Sequence, residues 1–477
     1  MNGFNYLDLY YLLPEIIFLL VGVTLLFLRG QKNISFLMIT GGVLSAIGIN
    51  LLMFNVNKEI IFKTIEVSDL SILLRLIILI GTLIFIISGK EFADSLEHSN
   101  LYYAFLSFAT IGMIILPAAN DLLTLYIAFE LTSISTYSLP FIDQKAERRF
   151  EAGIKYYITG AFSSGLILFG MSYLFGMTGS LYLKDIAQGL YAFQGSPIIF
   201  LAFALILGGL SYKMALAPFH LWAPDTYTGS PSAVSGYLAG VTKKGAFAVS
   251  IKLFLLTFAA IKFEMTIGLA FLAILTMTVG NLAALMQDDV KRMIAFSSVA
   301  NAGTILVGYA VGNLYGLTGS VLHILAHLLM TVGAFMVVYY VGEVYKDTSL
   351  QSFAGLSKKA PMIAFAMTIF LLSLGGIPPL LGFWSKIVII FGAVEAGGFY
   401  FWLAVALILN SALSLAYYFK IAKYMYMMEG SGKKETSASY FFTKSGIYLT
   451  ALLLLISGLI PGKTIQTVID AVQQFLG

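Results

Sequence analysis

Residues 205–247 read LILGGLSYKMALAPFHLWAPDTYTGSPSAVSGYLAGVTKKGAF, and this stretch decides how the rest of the chain is interpreted. Three lysines, Lys213, Lys243 and Lys244, stand in sequence that is otherwise apolar enough for a membrane-spanning helix. A lysine at the centre of such a helix costs roughly 2.5 to 3.5 kcal/mol on insertion scales, so it indicates an ion or proton pathway. Pro218 removes a backbone donor and breaks the helix, and a membrane tolerates the freed carbonyls only inside a protein-lined or wet cavity. The stretch therefore predicts a discontinuous helix with a buried amine beside its break.

The composition excludes most other classes of protein. Of 477 residues, 59% are hydrophobic and 11% are charged, and the mean hydropathy is +0.90, whereas a soluble domain carries about 25% charged residues. The chain contains no cysteine, which excludes disulfides and thiolate metal sites, and its net charge of +4 gives no indication of nucleic-acid binding. These values predict an all-α polytopic membrane protein.

Fourteen apolar runs have about the 20-residue length that a bilayer core requires. No basic residue precedes the first run, which is therefore predicted to be a retained helix. The twelfth run is overlong because GGIPP at Gly375–Pro379 interrupts it. The predicted spans are 10–28, 36–54, 70–88, 101–117, 121–141, 152–175, 198–224, 232–256, 265–286, 293–311, 317–341, 361–394, 400–427 and 447–460.

Basic residues in the connecting loops predict the orientation, because lysine and arginine are concentrated in cytoplasmic loops. Loops after odd-numbered spans hold fourteen of them, including Lys145, Lys433 and Lys434, whereas loops after even-numbered spans and the two termini hold five. Odd-numbered loops are therefore predicted to be cytoplasmic. Both termini are predicted to lie on the periplasmic or outer side of a bacterial inner membrane.

Two interrupted spans predict an internal repeat. GGLSYKMALAPFHLW at Gly208–Trp222 and SLGGIPPLLGFWSK at Ser373–Lys386 each place paired glycines, proline, aromatic residues and one lysine in an apolar run. They are five spans apart, and because five is odd, the two units would have opposite orientations in the membrane. Inverted repeats of this kind place their broken helices at the transport site.

The candidate site consists of ionisable residues deep in the predicted spans: Glu130, Lys213, Lys243 or Lys244, His323, His327 and Lys386. Burial disfavours the charged form of a lysine, whereas a neighbouring carboxylate favours it. A lysine such as Lys213 would therefore hold or release its proton as Glu130 comes closer or moves away. This hypothesis rests on residue type and depth alone.

Each member of the site has a structural alternative. In the structural alternative, Glu130 and Lys213 form only a salt bridge that locks two helices. Lys243 and Lys244 face about 100° apart on a helix, so one would point at a cavity while the other pairs elsewhere, and Lys243 is favoured as the cavity residue. Lys386 follows the second break, where a lysine can also extend along the helix to the interface.

His323 and His327 share one helix face, because they are four residues apart. This spacing suits a metal, but no carboxylate or cysteine accompanies them in the span. A pair of hydrogen-bonded core histidines is a further alternative. A proton relay is favoured, because imidazole titrates near neutral pH.

Other ionisable residues are interpreted as structural. Asp225 is expected to be a turn or cap residue near the far surface, and the lysines and arginine nearer span ends are set aside: Arg75, Lys155, Lys252, Lys420 and Lys423. The sequence contains no Walker loop and no flavin, haem or iron-sulfur motif.

The stretch that begins SYKMALAPFHLWAPD resembles the antiporter-like membrane subunits of NADH-quinone oxidoreductase, or respiratory complex I, and of multisubunit Na+/H+ antiporters. The resemblance extends from YLLPEIIFLL at 11–20 through AFELTSISTY at 128–137 to the second interrupted span. The LLPE opening, the fourteen-span length and a lysine at position 386 are similar to the subunit N branch of that family.

The resemblance implies a proton-translocating subunit with two inverted five-helix half-channels. Three helices at 1–100 would precede the first half-channel at 101–258, the second would occupy 264–428, and 429–477 would form a loop and the last helix. Glu130 and Lys213 would be the carboxylate-lysine pair, Lys243 the central lysine and Lys386 the lysine of the outlet. His323, His327 and Lys244 would be further relay members, with some relatives carrying lysine at the place of His327.

The same resemblance assigns the redox chemistry to other subunits. NADH, FMN, the iron-sulfur clusters and quinone would bind there, with no cofactor or metal on this chain, and its partners would be other membrane subunits, the lipid bilayer and the transported H+. A subunit of a multisubunit Na+/H+ antiporter is the alternative. A third possibility is a spacer that carries no proton, although a spacer would not need so many buried charges.

Overall fold

The computed structural model describes residues 6–143, 147–430 and 439–477, so Lys145, Lys433 and Lys434 of the loop comparison lie outside the described residues. The described chain is an all-α bundle with one short hairpin, which confirms the predicted fold class. The helices are α1 Leu13–Phe27, α2 Lys32–Leu52, α3 Asp69–Ser88, α4 Lys90–Ser95, α5 Ser99–Ile115, α6 Leu122–Tyr137, α7 Glu147–Thr178, α8 Leu183–Gly189, α9 Pro197–Met214, α10 Trp222–Gly229, α11 Ser232–Tyr237, α12 Lys243–Ile251, α13 Lys262–Leu285, α14 Val290–Val311, α15 Leu314–Tyr345, α16 Leu356–Lys359, α17 Pro361–Gly375, α18 Leu381–Ala396, α19 Gly398–Met427, α20 Phe441–Leu459 and α21 Pro461–Leu476.

Twelve helices in the described ranges are long and apolar enough to cross a membrane. They correspond to twelve of the fourteen predicted spans. The eighth predicted span is one uninterrupted helix, Ser232–Thr257, in which π-helical turns at Leu238–Thr242 and Lys252–Thr257 flank α12. The twelfth is divided between α17 and α18, as its GGIPP interruption predicts.

Capping side chains fix where three helices of the central bundle begin. Asp121 accepts from the backbone N–H groups of Leu123 and Thr124 at the start of α6, and Asp289 accepts from Arg292 N at the start of α14. Asn313 caps α15 in the same way. Each side chain satisfies backbone donors that have no partner inside the helix. Because α14 and α15 are almost wholly buried, these caps set the depth of every polar residue on them.

The two breaks have the same hydrogen-bond pattern. After α9, Ala215 N donates to Tyr212 O and Leu216 N to Ser211 O; after α17, Gly376 N donates to Ser373 O and Ile377 N to Leu372 O. Ala215 and Gly376 both adopt the left-handed conformation. This is the Schellman arrangement that ends a helix while satisfying its last carbonyls. The prediction of two broken helices is confirmed, whereas the boundaries of the predicted repeats stay a prediction.

Two elements escape the sequence analysis. Strands β1 Lys58–Ile60 and β2 Ile65–Val67 form an antiparallel hairpin between α2 and α3, and Ile65 also bridges to Ala119. Helix α21 is amphipathic and buries Val468, Ala471 and Val472 against α3 and α15. Its polar face is too hydrophilic for a span, so a search for long apolar runs passes over it.

Candidate functional site

Lys213 lies in the last turn of α9, directly before the first break, and only 2% of the residue is exposed. Its Nζ atom donates to Ser133 Oγ at 3.0 Å and to the Tyr156 hydroxyl at 3.3 Å. The rings of Phe129, Tyr137 and Tyr156 surround the ammonium, with their centroids 5.2–5.7 Å from Nζ. Hydroxyls and ring faces therefore hold this amine in an otherwise apolar place.

Glu130 belongs to the same site but does not touch Lys213. It lies one turn before Ser133 on α6, half-buried, and its Oε1 atom has no hydrogen-bond partner among the described residues. No carboxylate within the described ranges approaches Lys213 Nζ to within 4.0 Å. A static salt bridge between Glu130 and Lys213 is therefore not formed in this structure. An approach of Glu130 requires a side-chain movement or a bridging water.

Lys243 and Lys244 point to different neighbours, as their adjacency on one helix predicts. Lys243 Nζ donates to Ser298 Oγ on α14 at 3.0 Å and lies 5.4 Å from the centroid of the Tyr227 ring. Lys244 Nζ lies 2.5 Å from His327 Nδ1 on α15. Both lysines are almost completely buried, and both reach from the first half of the chain into the second.

His323 and His327 extend the series of buried polar side chains from Lys244 toward the second break; we call this series, from Lys243 and Lys244 to Lys386, the buried line. The imidazole rings of His323 and His327 stack, with centroids 6.4 Å apart. His323 Nδ1 pairs with Ser385 Oγ at 2.8 Å, and its Nε2 faces Asn301 Oδ1 at 3.2 Å. In the described part of the chain, no group of three or more metal-ligating side chains comes together. The two rings lie between Lys244, which contacts His327, and Ser385, which contacts His323.

Lys386 lies next to Ser385 on α18 and completes the line. The residue is 6% exposed, and its Nζ atom donates to the carbonyl oxygen of Leu374 at 2.8 Å. That carbonyl belongs to the last turn of α17, where the break leaves it without a helical partner. A polar cavity of about 10 Å³, the space of one water, touches Lys386 and Asn301.

Residues that the sequence analysis did not single out supply most of these contacts. Ser133, Tyr156, Ser298, Asn301 and Ser385 are buried hydroxyls or amides that bridge the titratable groups. Serine and asparagine in a spanning helix often pack between helices, so their presence alone carries no signal. Only Ser133, one turn after Glu130, and Ser385, next to Lys386, lie close to a candidate residue in the sequence.

His220 is a further residue that the sequence analysis did not select, although it lies within the first break. It is 5% exposed, and its Nδ1 atom has no hydrogen-bond partner among the described residues. Lys243 lies close enough for their charges to interact. The buried, unpaired nitrogen makes His220 a polar neighbour of the central lysine.

The expectation that Asp225 lies near the far surface is wrong. Its carboxylate lies 3.4 Å from Lys155 Nζ and 3.3 Å from Arg292 Nη2, so it joins the starts of α7 and α14. Both starts follow loops that the basic-residue count assigns to the cytoplasm.

Two broken helices, joined by a buried line of lysines, histidines and hydroxyls, define an antiporter-like class of polytopic membrane protein. The match to known families is consistent with this geometry. Residues 119–414 match the family model described as NADH:quinone oxidoreductase/Mrp antiporter, TM, and the chain belongs to this family. The resemblance seen in the sequence is confirmed.

Individual relatives extend the match over nearly the whole chain. The F(420)H(2) dehydrogenase subunit N of Methanosarcina mazei is 37% identical, covering 97% of this chain and 98% of its own. The NADH-quinone oxidoreductase subunit N of Trichlorobacter lovleyi is 36% identical over 86% of this chain and 84% of its own. The similarity to the subunit N branch is thereby confirmed.

Solved structures share the fold. A chain of respiratory complex I from Thermus thermophilus is 29% identical with a TM-score of 0.81, covering 95% of this chain and 98% of its own. A chain of the Mrp complex from Dietzia sp. DQ12-45-1b is 19% identical with a TM-score of 0.87, covering 97% of each. At that identity the second likeness concerns the fold alone.

Proposed function

We propose that this chain is the proton-translocating membrane subunit of an NADH-quinone oxidoreductase. The observation that carries the proposal is the buried series from Lys244, hydrogen-bonded to His327, past the neighbouring ring of His323, which is hydrogen-bonded to Ser385 beside Lys386. Each of these groups holds or passes a proton, and the contacts cross from the first half of the chain to the second. A spacer subunit would need none of them.

Protons move along this line because each site can exist in two charge states. At the first break, Ser133 and Tyr156 hold the Lys213 ammonium, and an approach of Glu130 favours its charged form. Lys243 and Lys244 face the second half, where two cations side by side are unfavourable. A proton that arrives at Lys243 therefore favours the transfer of the Lys244 proton to His327.

The second half conveys the proton from the histidines to Lys386. His323 exchanges a proton with Ser385 Oγ while Asn301 orients its other nitrogen. Lys386 takes up the charge against the Leu374 carbonyl, beside the water-sized cavity. We assign 101–258 and 264–428 to two inverted half-channels, supported by the identical hydrogen bonds at the two breaks. Fourteen spans with basic odd-numbered loops support placing both termini on the outer side.

The redox partners of the chain lie in other subunits of the complex. NADH, FMN, iron-sulfur clusters and quinone would bind there, and the energy would reach this chain through its membrane neighbours. A second candidate is a complex that oxidises reduced coenzyme F420. It is favoured by the 37% identity with the Methanosarcina mazei subunit over nearly the whole of both chains. An Na+/H+ antiporter subunit is the remaining alternative.

Membranes that carry Lys213→Ala test the proposal. We expect a complex that assembles on a native gel but loses donor-driven proton pumping and quinone-linked NADH oxidation together. Lys420→Ala, which removes a partly exposed lysine paired with Asp288, is the matched control and should be normal. Untouched NADH oxidation with loss of Na+/H+ exchange would identify an antiporter instead. Oxidation of reduced coenzyme F420 in place of NADH would assign the second candidate.

A further inference from the structure

Lys252 is a buried lysine that the proposed path does not use. Only 3% of the residue is exposed; its Nζ atom lies 3.0 Å from Glu66 Oε2 and 3.3 Å from the Ala119 carbonyl oxygen, to which it donates. From the sequence, its place near a span end favours a structural role for Lys252. Strand β2 brings Glu66 against the end of this helix, where it pairs with Lys252.

Glu66 connects Lys252 to the surface through alternating charges. Its side chain is 17% exposed, and its Oε1 atom lies 4.0 Å from Lys184 Nζ. Lys184, with 51% of its side chain exposed, pairs with Glu59 at 2.8 Å. We name Glu59, Glu66, Lys184 and Lys252 the hairpin cluster. It leads from a buried ammonium to bulk water.

The helix that carries Lys252 is the helix of Lys243 and Lys244. One π-helical segment ends directly before Lys243, and the other begins at Lys252. Segments of this kind are frequent at functional sites. Lys252 follows Lys244 by eight residues, which is about 12 Å along the axis at 1.5 Å per residue. Bridging water is therefore needed between the two amines.

Lys252 faces Glu66 on β2, Lys184 on α8 and Arg75 on α3, and Arg75 is itself paired with Glu15. Burial pushes the pKa of Glu66 up, but the charge of Lys252 and its hydrogen bond outweigh burial, so the pKa lies below its ordinary value. Glu66 is thus an anion at neutral pH while Lys252 is charged. A proton that reaches Glu66 is readily lost to water.

The stability of the fold alone does not explain why Lys252 and Glu66 form an ion pair here. Buried ion pairs can often be replaced by apolar residues without loss of stability, because desolvation offsets their attraction. The residues around the hairpin offer such a replacement, since a small apolar core that includes Met53, Ile65 and Leu76 lies beside it. A buried amine with a carboxylate that reaches water is instead the arrangement of a proton-exchange site.

Resting on the proposed function, we propose that the hairpin cluster exchanges protons between the buried lysines Lys243 and Lys244 and the solution on the hairpin side. The Lys252 ammonium gives a proton to the Glu66 carboxylate, which leaves a neutral amine and a neutral acid. Glu66 releases this proton to water, and the Lys252 amine takes a new one from Lys244 through bridging water. Lys184 and Glu59 keep the route open to solvent.

Lys252→Arg in the intact complex is the decisive variant. Arginine keeps the positive charge and the pairing with Glu66, but it does not give up its proton. We expect an assembled complex whose donor-driven proton pumping is lower by about a hundredfold or more, the lower end of what a general acid-base group contributes. The matched control is Lys58→Arg, the same exchange at a lysine of strand β1 that pairs with Asp8 and lies outside the cluster, which should pump normally.

A double variant guards against a simple packing effect of arginine. Lys252→Met combined with Glu66→Gln removes both buried charges at once, and we again expect assembly with a loss of pumping. Normal pumping by either variant overturns the proposal and leaves the pair as a structural clamp. Failure of both variants to assemble counts against it in the same way.

The test separates this inference from the proposed function. If Lys213→Ala abolishes pumping while the Lys252 variants pump normally, only the hairpin cluster is wrongly assigned. If Lys213→Ala pumps normally, the proposed function itself fails.

Discussion

Lys244 Nζ on the eighth span and His327 Nδ1 on α15 lie 2.5 Å apart, with both residues fully buried. This hydrogen bond joins the first half of the chain to the second. The neighbouring Lys243 pairs with Ser298 instead, so the two lysines divide their roles between two helices of the second half. From the sequence, Lys243 is favoured as the central residue. In the structure, Lys244 is as deeply buried as Lys243 and likewise contacts the second half of the chain.

Replacing His327 tests this junction. His327→Ala leaves the Lys244 amine without a buried partner and interrupts the relay to His323. We expect pumping to fall by about a hundredfold or more, the scale of a lost proton-transfer group, while the complex still assembles. Dye-quenching measurements of proton uptake in membrane vesicles check this. His98→Ala is the control, since His98 is largely exposed and pairs only weakly with Glu97.

Lys386 is expected to have two separable roles: it stabilises the second break through its hydrogen bond to Leu374, and it takes up and releases a proton. Lys386→Met leaves the Leu374 carbonyl without its donor, which should destabilise the complex by about 1–3 kcal/mol and abolish pumping. Lys386→Arg restores a donor but not a group that releases a proton. Thermal unfolding of the purified complex should therefore be near normal for arginine, while its pumping stays lost. Normal pumping by the arginine variant would return Lys386 to a purely structural role.

The sequence predicts what depends on local pattern and misses what depends on distant contacts. Paired glycines and prolines predict both broken helices, because the freed carbonyls follow from the backbone alone. The depth of Lys213 and Lys386 follows from hydropathy in the same way. Helical spacing separates Lys243 from Lys244, but it does not identify His327 as a partner. That contact depends on how α15 packs against the eighth span.

Lys252 illustrates the limit most clearly. Its position near the end of an apolar run favours a structural lysine, and nothing in that run predicts its partner Glu66. The hairpin that buries Lys252 comes from residues 58–67, nearly two hundred positions earlier in the chain. Its strands are three residues each, too short for alternation to stand out from the surrounding loop.

Glu15 and Arg75 form a second buried pair, which should contribute to stability rather than to pumping. Arg75 Nη2 lies 3.0 Å from Glu15 Oε1, and Arg75 Nε donates to the Ile114 carbonyl oxygen, so the pair ties α1, α3 and α5 together. Removing one partner leaves an isolated buried charge, which costs about 3–5 kcal/mol. We therefore expect Glu15→Gln alone, and Arg75→Met alone, to lower the melting temperature of the assembled complex strongly.

The double variant Glu15→Gln with Arg75→Met should recover most of that loss, because no unpaired charge remains. The recovery is the coupling energy of the pair and is measured directly by a double-mutant cycle. If the two single effects simply add, the two side chains do not interact. If the double variant is stable but does not pump, the pair belongs to the proton path.

Gly382 should be indispensable for the second break. A Cβ atom at this position would overlap the backbone carbonyl oxygen of Ser373, and backbone, unlike a flexible side chain, cannot turn away. Gly382→Ala is therefore expected to push α18 away from α17, to move Lys386 off the Leu374 carbonyl, and to lower both thermal stability and pumping. The control is Gly41→Ala in the middle of α2, where no atom lies within 4 Å of the new Cβ. Alanine there should be neutral or stabilise by about 0.4–1 kcal/mol, since it restricts the unfolded chain. Equal behaviour of the two variants in thermal unfolding would contradict the close packing of the two half-helices.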